Sequence, residues 1–154
     1  MITNRTQYDV DTAILIRNTK VKKFEELTET DINYLERGTL TINTLNRIET
    51  KQDELKNLFN DMGYWNTPIT NKVWGKNDIF NVDEFQRILD NTNVLRNAFF
   101  VYKDTPNTPP ISYHYNDINA LEKILYDFDN ELGGMIKDVK SHYRECSTFE
   151  SGEE

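Results

Sequence analysis

Few side chains in this sequence combine the residue type and spacing that catalysis or metal binding requires. Asp127, Asp129 and Glu131 alternate as calcium-loop ligands do, but they lie in a predicted helix without the glycine turn of such a loop. Cys146 has no neighbouring base except His142, which lies at helical spacing and is not positioned by a third group. Neither a glycine-rich phosphate loop nor a nucleophile elbow is present. We therefore expect no enzymatic activity, no metal site and no cofactor.

The composition argues against several classes of partner. The chain has 154 residues, with 18 Lys and Arg against 26 Asp and Glu, so its net charge is −8. Such a chain lacks the clustered cations that bind a nucleic-acid backbone or an anionic membrane, and we expect no nucleic-acid partner. No run approaches about 18 consecutive apolar residues, and the first residues lack a signal-peptide pattern, so we expect no membrane insertion. The single cysteine excludes an intramolecular disulfide.

Helical periodicity dominates the chain and predicts a mostly α fold. We expect a small bundle of four or five helices, joined by connectors that carry aromatic residues and prolines. The predicted helices cover about 6–24, 28–38, 41–62, 81 to the proline-rich break at 103–110, and 117–143. Short extended segments are predicted around 69–74 and 111–115.

Polar residues mark the predicted helix ends. Thr28 with Asp31 forms a capping-box pattern, while Asn81 and Asn116 are the expected N-terminal caps of the last two helices. The pair Gly133–Gly134 predicts a kink or a stop within the last helix, since glycine costs about 1 kcal/mol against alanine in a helix.

The chain divides into four segments, one of which contains an internal repeat. They are an N-terminal helical segment (1–40), a duplicated helix–connector module (41–102), a proline-rich connector with the C-terminal helix (103–146) and an acidic tail (147–154). Residues 45–59 match 85–99 after a shift of 40 positions. The match includes arginine and asparagine positions outside the apolar stripe, which favours duplication over chance. A weaker third match lies at 121–124.

Two helices carry a heptad-like apolar seam. The seam residues are Leu45, Ile48, Leu55, Phe59, Phe85, Ile88, Leu95 and Phe99. They would form either a coiled-coil oligomer or the core of an intrachain bundle. Gln52 and Thr92 occupy polar positions in this seam, where they would specify register in an assembly.

A repeated arginine accompanies the seam. Arg47 and Arg87 occupy the same helical position, with Glu49 and Asp90 nearby as ion-pair partners. The repetition predicts internal bracing, in which the arginine covers apolar surface or bonds a connector carbonyl; an interface ion-pair set is the alternative.

Aromatic residues concentrate in the connectors. The candidate interface residues are Tyr64, Trp65, Trp74, Tyr113 and Tyr115. Rings with a polar edge are favoured at protein interfaces, and they also stack on sugars or plug the ends of a small bundle.

Several motifs resemble one group of viral proteins. Residues 41–49 read TINTLNRIE, and Gly63–Tyr64, Lys72-Val73-Trp74 and residues 85–91 (FQRILDN) follow in order. Together they resemble small virion structural and tail-associated proteins encoded by phages and prophages of Gram-positive bacteria. The Lys72-Val73-Trp74 segment departs from the polar pair that usually precedes the tryptophan in such proteins.

The resemblance implies a virion structural protein at the tail tip or baseplate. It would be made in the host cytoplasm, join a multi-copy assembly with other virion subunits, and act as an adaptor through aromatic and aliphatic contacts. The alternatives are a module that binds a host-surface saccharide and a regulatory or inhibitor protein of a mobile element.

Overall fold

The computed structural model describes residues 1–20, 26–63, 68–98, 103–112 and 114–147, with side chains described as far as residue 135. Five α-helices are present in these ranges: α1 (Gln7–Thr19), α2 (Glu29–Gly38), α3 (Ile42–Asp61), α4 (Val82–Ala98) and α5 (Tyr115–Ser147). The mostly α fold predicted from the sequence is confirmed. None of the described residues forms a strand, including 69–74, where a short strand was predicted.

The first two helices form a tightly packed pair. Each begins with a reciprocal capping box, Thr6 with Asp9 in α1 and Thr28 with Asp31 in α2, the second of which was predicted. The helices approach closely at Gly38, where a Cβ atom would collide with the carbonyl of Asp9 and the side chain of Ala13. Glycine is therefore required at this position by space. Helix α1 ends at Thr19, earlier than predicted, and residues 21–25 lie outside the described ranges.

The core is built from α3, α4, α5 and the α3–α4 connector. Seven of the eight seam residues are buried in one intrachain cluster, which also contains Leu121, Phe128 and Leu132 of α5; the eighth, Phe99, lies outside the described residues. The rings of Phe59 and Phe128 meet edge to face at 6.1 Å. The seam therefore packs within one chain.

The start of α5 differs from the sequence prediction. The carbonyl of His114 accepts the first helical bonds, from the backbone N–H groups of Asp117 and Ile118. The imidazole Nδ1 of His114 accepts the N–H of Asn116 at 3.3 Å. His114 therefore caps the helix, and the prediction of Asn116 as the cap is wrong because the helix begins at Tyr115, two residues earlier than predicted. The helix also continues past Gly133–Gly134 to Ser147, so no stop occurs there.

Substitution of Gly38 tests the packing of the first helix pair. We expect Gly38→Ala to lower the free energy of unfolding by about 1–3 kcal/mol, because the new methyl group must displace the backbone of α1. The matched control is Gly134→Ala, since a Cβ there meets no atom within 4 Å, and it should stabilise by up to about 1 kcal/mol. Equal urea midpoints for the two variants would contradict the close approach.

The pH dependence of stability tests the contact between α1 and α2 through the carboxylate of Asp9. Hydrogen bonds from Arg37 and Thr6 lower the pKa of Asp9 from 3.8 to about 2. Because the folded pKa is depressed, this contribution to stability is complete above the ordinary pKa and is lost as the pH falls towards 2. We expect the melting temperature to fall less in the Asp9→Asn variant than in the wild type when the pH is lowered from about 5 to 2. An identical loss in both proteins would contradict the role of this pair.

Candidate interaction surface

The connector between α3 and α4 is fixed by one buried carboxylate. Glu49 of α3 is 2% exposed. Its Oε1 accepts hydrogen bonds from the indole Nε1 of Trp74 and from Nη2 of Arg87, both at 2.6 Å. Its Oε2 accepts the backbone N–H of Lys72 and, at 2.8 Å, Nη1 of Arg87. Four donors from the connector and α4 therefore converge on a single side chain, which satisfies its buried charge.

Two asparagine amides hold the connector backbone at further points. Asn46 of α3 accepts the N–H of Trp74 at 2.7 Å and donates to its carbonyl at 3.1 Å. Asn91 of α4 donates to the carbonyl of Thr70 at 2.8 Å and accepts its N–H at 3.4 Å. These side chains supply hydrogen bonds that a neighbouring strand would otherwise provide, and the described part of the connector forms no sheet.

A second buried carboxylate fixes the N-terminal segment to α5. Glu122 is fully buried and accepts hydrogen bonds from Nη1 of Arg5, from Nε of Arg47 at 2.7 Å and from the backbone N–H of Ile2 at 3.2 Å. Asn119 accepts the N–H of Arg5 at 3.1 Å and donates to its carbonyl at 3.0 Å. The arrangement around α5 therefore has the same parts as the arrangement around α3.

The repeated arginines make equivalent contacts in the two arrangements. Arg47 of α3 pairs with Glu122 of α5, and Arg87 of α4 pairs with Glu49 of α3. The partners expected from the sequence, Glu49 for Arg47 and Asp90 for Arg87, are wrong. Arg47 reaches Glu122 of α5, and Arg87 reaches Glu49 of α3 and Glu84 of its own helix. Arg87 also donates to the carbonyl of Thr70 at 2.6 Å, as the prediction of a bond to a connector carbonyl requires.

The polar seam positions also pair within the chain. Gln52 donates through Nε2 to Oγ1 of Thr92 at 2.8 Å and to the carbonyl of Ile88 at 2.9 Å, and both Gln52 and Thr92 are fully buried. These two residues are 40 positions apart, so equivalent positions of the predicted repeat face each other across the α3–α4 contact. Gln52 and Thr92 therefore align two helices of the same chain. The sequence had suggested that they set the register between helices of different chains.

We call the combination of one asparagine amide and one carboxylate three residues later the Asn–Glu clasp: Asn46 with Glu49, and Asn119 with Glu122. Sequence reasoning missed both clasps. A sequence pattern could have revealed them. Residues 45–49 have an aliphatic residue, Asn, any residue, an aliphatic residue and Glu, and residues 118–122 repeat this order. The weak third match at 121–124 covered only the end of this pattern.

Of the five aromatic residues predicted at an interface, the structure describes Trp74 and Tyr115. Trp74 is 4% exposed and its ring packs edge to face on Phe80 at 5.4 Å. The prediction of Trp74 as a contact residue is therefore corrected, because its indole N–H anchors the connector from inside. Tyr115 is partly buried in the first turn of α5. The other three, Tyr64, Trp65 and Tyr113, lie outside the described residues.

Aliphatic side chains occupy the outside of the connector. Val73, next to the buried tryptophan, is 88% exposed, and Ile79 is 80% exposed. Val82, at the start of α4, is about half exposed. The cation of Lys72 lies 4.2 Å from the centre of the Trp74 ring. We call Val73, Ile79 and Val82 the connector surface; Glu49 and Asn46 hold the backbone on either side of Val73, at Lys72 and Trp74.

Two depressions lie near the clasps. One of about 230 Å³ lies between the end of α2 and the start of α5, and its lining includes Arg37, Leu40, His114 and Tyr115. A larger, shallow groove of about 490 Å³ runs between α3 and the connector. Across the described residues, no three His, Cys, Asp or Glu side chains are grouped to hold a metal ion, and no helix is long and apolar enough to cross a membrane.

No family model, curated protein or solved structure matches the chain. The assignment of a function therefore rests on the geometry of the described residues and on the motifs of the sequence.

Removing the charge of Glu49 tests the role of the Asn46–Glu49 clasp in holding the connector. We expect Glu49→Gln to lower the free energy of unfolding by about 3 kcal/mol, because Arg87 loses its buried counter-charge and the indole loses a charged acceptor. The control is Glu54→Gln on the same helix, whose exposed pair with Lys51 should change stability by less than about 0.5 kcal/mol. Urea unfolding measures both values. Similar small losses for the two variants would show that the clasp does not organise the connector.

Proposed function

We propose that the chain is a structural subunit of a phage virion, associated with the tail tip or baseplate, and that it acts as an adaptor between other subunits. The observation that carries this proposal is the connector surface. Val73 and Ile79 are among the most exposed aliphatic side chains, although they belong to a segment held by a buried ion pair and an indole hydrogen bond. The resemblance of the LNRIE and connector motifs to virion proteins supplies the biological setting.

A held connector suits a contact between subunits. Binding through a mobile loop costs conformational entropy, whereas side chains on a fixed backbone are already ordered before association. The exposed aliphatic groups would be buried in the contact and contribute about 25 cal/mol per Å² of apolar area removed from water. The net charge of −8 opposes unspecific association of free subunits before assembly.

Contact with another subunit is better supported than saccharide binding. A sugar-binding site needs an aromatic face open to solvent, and the ring of Trp74 is buried. The exposed groups of the described part of the connector include the aliphatic side chains of Val73 and Ile79, which suit apolar contact with protein.

Substitution of the connector surface tests the proposal. We expect the double variant Val73→Ser, Ile79→Ser to fold as the wild type does, since both side chains are exposed, and to bind the products of neighbouring genes at least about tenfold more weakly. The probe is each neighbouring gene product, purified and titrated by calorimetry. Ile111→Ser, an exposed aliphatic position on another connector, is the matched control and should bind normally.

Mass spectrometry of purified particles provides the second measurement. The wild-type chain should be present in fixed proportion to the tail proteins. Absence from particles, or unchanged binding by the double variant, would overturn the proposal.

A further inference from the structure

Helix α2 carries the sequence of the Asn–Glu clasp a third time. Residues 31–36 read DINYLE and residues 117–122 read DINALE, so the two segments differ only at Tyr34 and Ala120. Asn33 and Glu36 of α2 therefore occupy the positions of Asn119 and Glu122 in α5.

The two occupied clasps hold their ligands in the same way. Each asparagine takes both the N–H and the C=O of one residue in a non-helical segment, Trp74 in one case and Arg5 in the other. Each glutamate accepts the backbone N–H of a residue two or three positions earlier, Lys72 or Ile2. The bound segment consequently runs antiparallel to the helix in both clasps, and it contributes main-chain hydrogen bonds as an added strand does.

The third clasp is open. Asn33 is exposed, and its amide makes no hydrogen bond with the part of the chain that the structure describes. Ile32 is 47% exposed, whereas its counterparts Leu45 and Ile118 are each 4% exposed. The opposite side of α2 packs on α1 through Tyr34 and Gly38. The clasp face therefore points away from α1.

The segments held by the two occupied clasps indicate what kind of segment the α2 face would bind. Both occupied clasps hold segments that contain a cation, Arg5 or Lys72, and both carboxylates also accept a guanidinium. Glu36 accepts one hydrogen bond, from Nδ2 of Asn43, which leaves acceptor capacity for a second donor. An acidic chain attracts a basic segment. The two segments that fill the occupied clasps are held within their own chain, so a folded second copy does not offer either of them.

We propose that the face of α2 formed by Ile32, Asn33 and Glu36 binds an extended, basic segment of a different protein subunit. Asn33 takes the N–H and C=O of one residue, Glu36 takes an earlier N–H together with an Arg or Lys side chain, and Ile32 contacts the apolar side of the segment. The inference rests on the proposed adaptor function and gives the adaptor a second contact, separate from the connector surface.

A peptide titration on the full chain tests the clasp directly. The probe is a synthetic peptide with the sequence of residues 1–6, MITNRT, which supplies the segment held by α5. We expect it to shift the NMR signals of the Asn33 side-chain amide and of the Ile32 and Glu36 backbone amides, with saturation at millimolar concentration. The same peptide N-methylated at its arginine lacks the N–H that Asn33 would accept, and it should bind about tenfold more weakly.

Two variants of the full chain complete the experiment. Asn33→Ala should weaken peptide binding about tenfold, while Asn130→Ala, an exposed asparagine on α5, should leave it unchanged. Unchanged shifts in Asn33→Ala, or no shift at α2 in the wild type, would overturn the inference. A dimer that dissociates on Asn33→Ala in sedimentation measurements would also overturn it, because the occupant would then be a second copy.

The two proposals fail separately. A chain that is found in particles but shows no shift at Asn33 would retain the adaptor function and lose the α2 clasp. A chain that binds the peptide through Asn33 but is absent from particles would retain the clasp and lose the virion assignment.

Discussion

The structure depends on two buried carboxylates, those of Glu49 and Glu122. Removing Glu49 and Glu122 from water is costly unless several donors surround each of them. Those donors come from distant parts of the chain: a backbone N–H from a connector or from the N-terminal segment, and a guanidinium from a neighbouring helix. Because each carboxylate needs all of these groups at once, satisfying it fixes the helices and the segments between them together.

This requirement explains why long irregular segments are ordered in a helical protein. The α3–α4 connector has no neighbouring strand, yet its backbone at Thr70, Lys72 and Trp74 is bonded to side chains of α3 and α4. The indole of Trp74 lies inside, and the adjacent Val73 lies outside. Fixing one residue by a buried hydrogen bond thus determines which neighbouring side chain a partner would meet, and the same geometry links stability to the proposed contact surface.

The repetition of the Asn–Glu clasp connects the internal architecture with recognition of a partner. In α3 and α5 the clasp holds segments of its own chain, and in α2 the same residue types lie on an exposed face. Because the clasp binds main-chain groups, it accepts segments of different sequence, since every residue except proline offers both an N–H and a C=O. Duplication of a helix–connector unit would supply such a device both to the core and to the surface.

The sequence by itself determined the mostly α class and the approximate bounds of the helices, the capping box at Thr28, the apolar seam and its polar positions at Gln52 and Thr92. These features arise from local periodicity and from hydrogen bonds between near neighbours, which a linear pattern records. Only the tertiary structure decided that Arg47 pairs with Glu122, that Trp74 is an internal anchor and that His114 caps α5. Each of those outcomes depends on which groups meet across helices, or on a shift of two residues at a helix end. A buried charge selects its partners by three-dimensional proximity and desolvation, and sequence spacing carries no record of either.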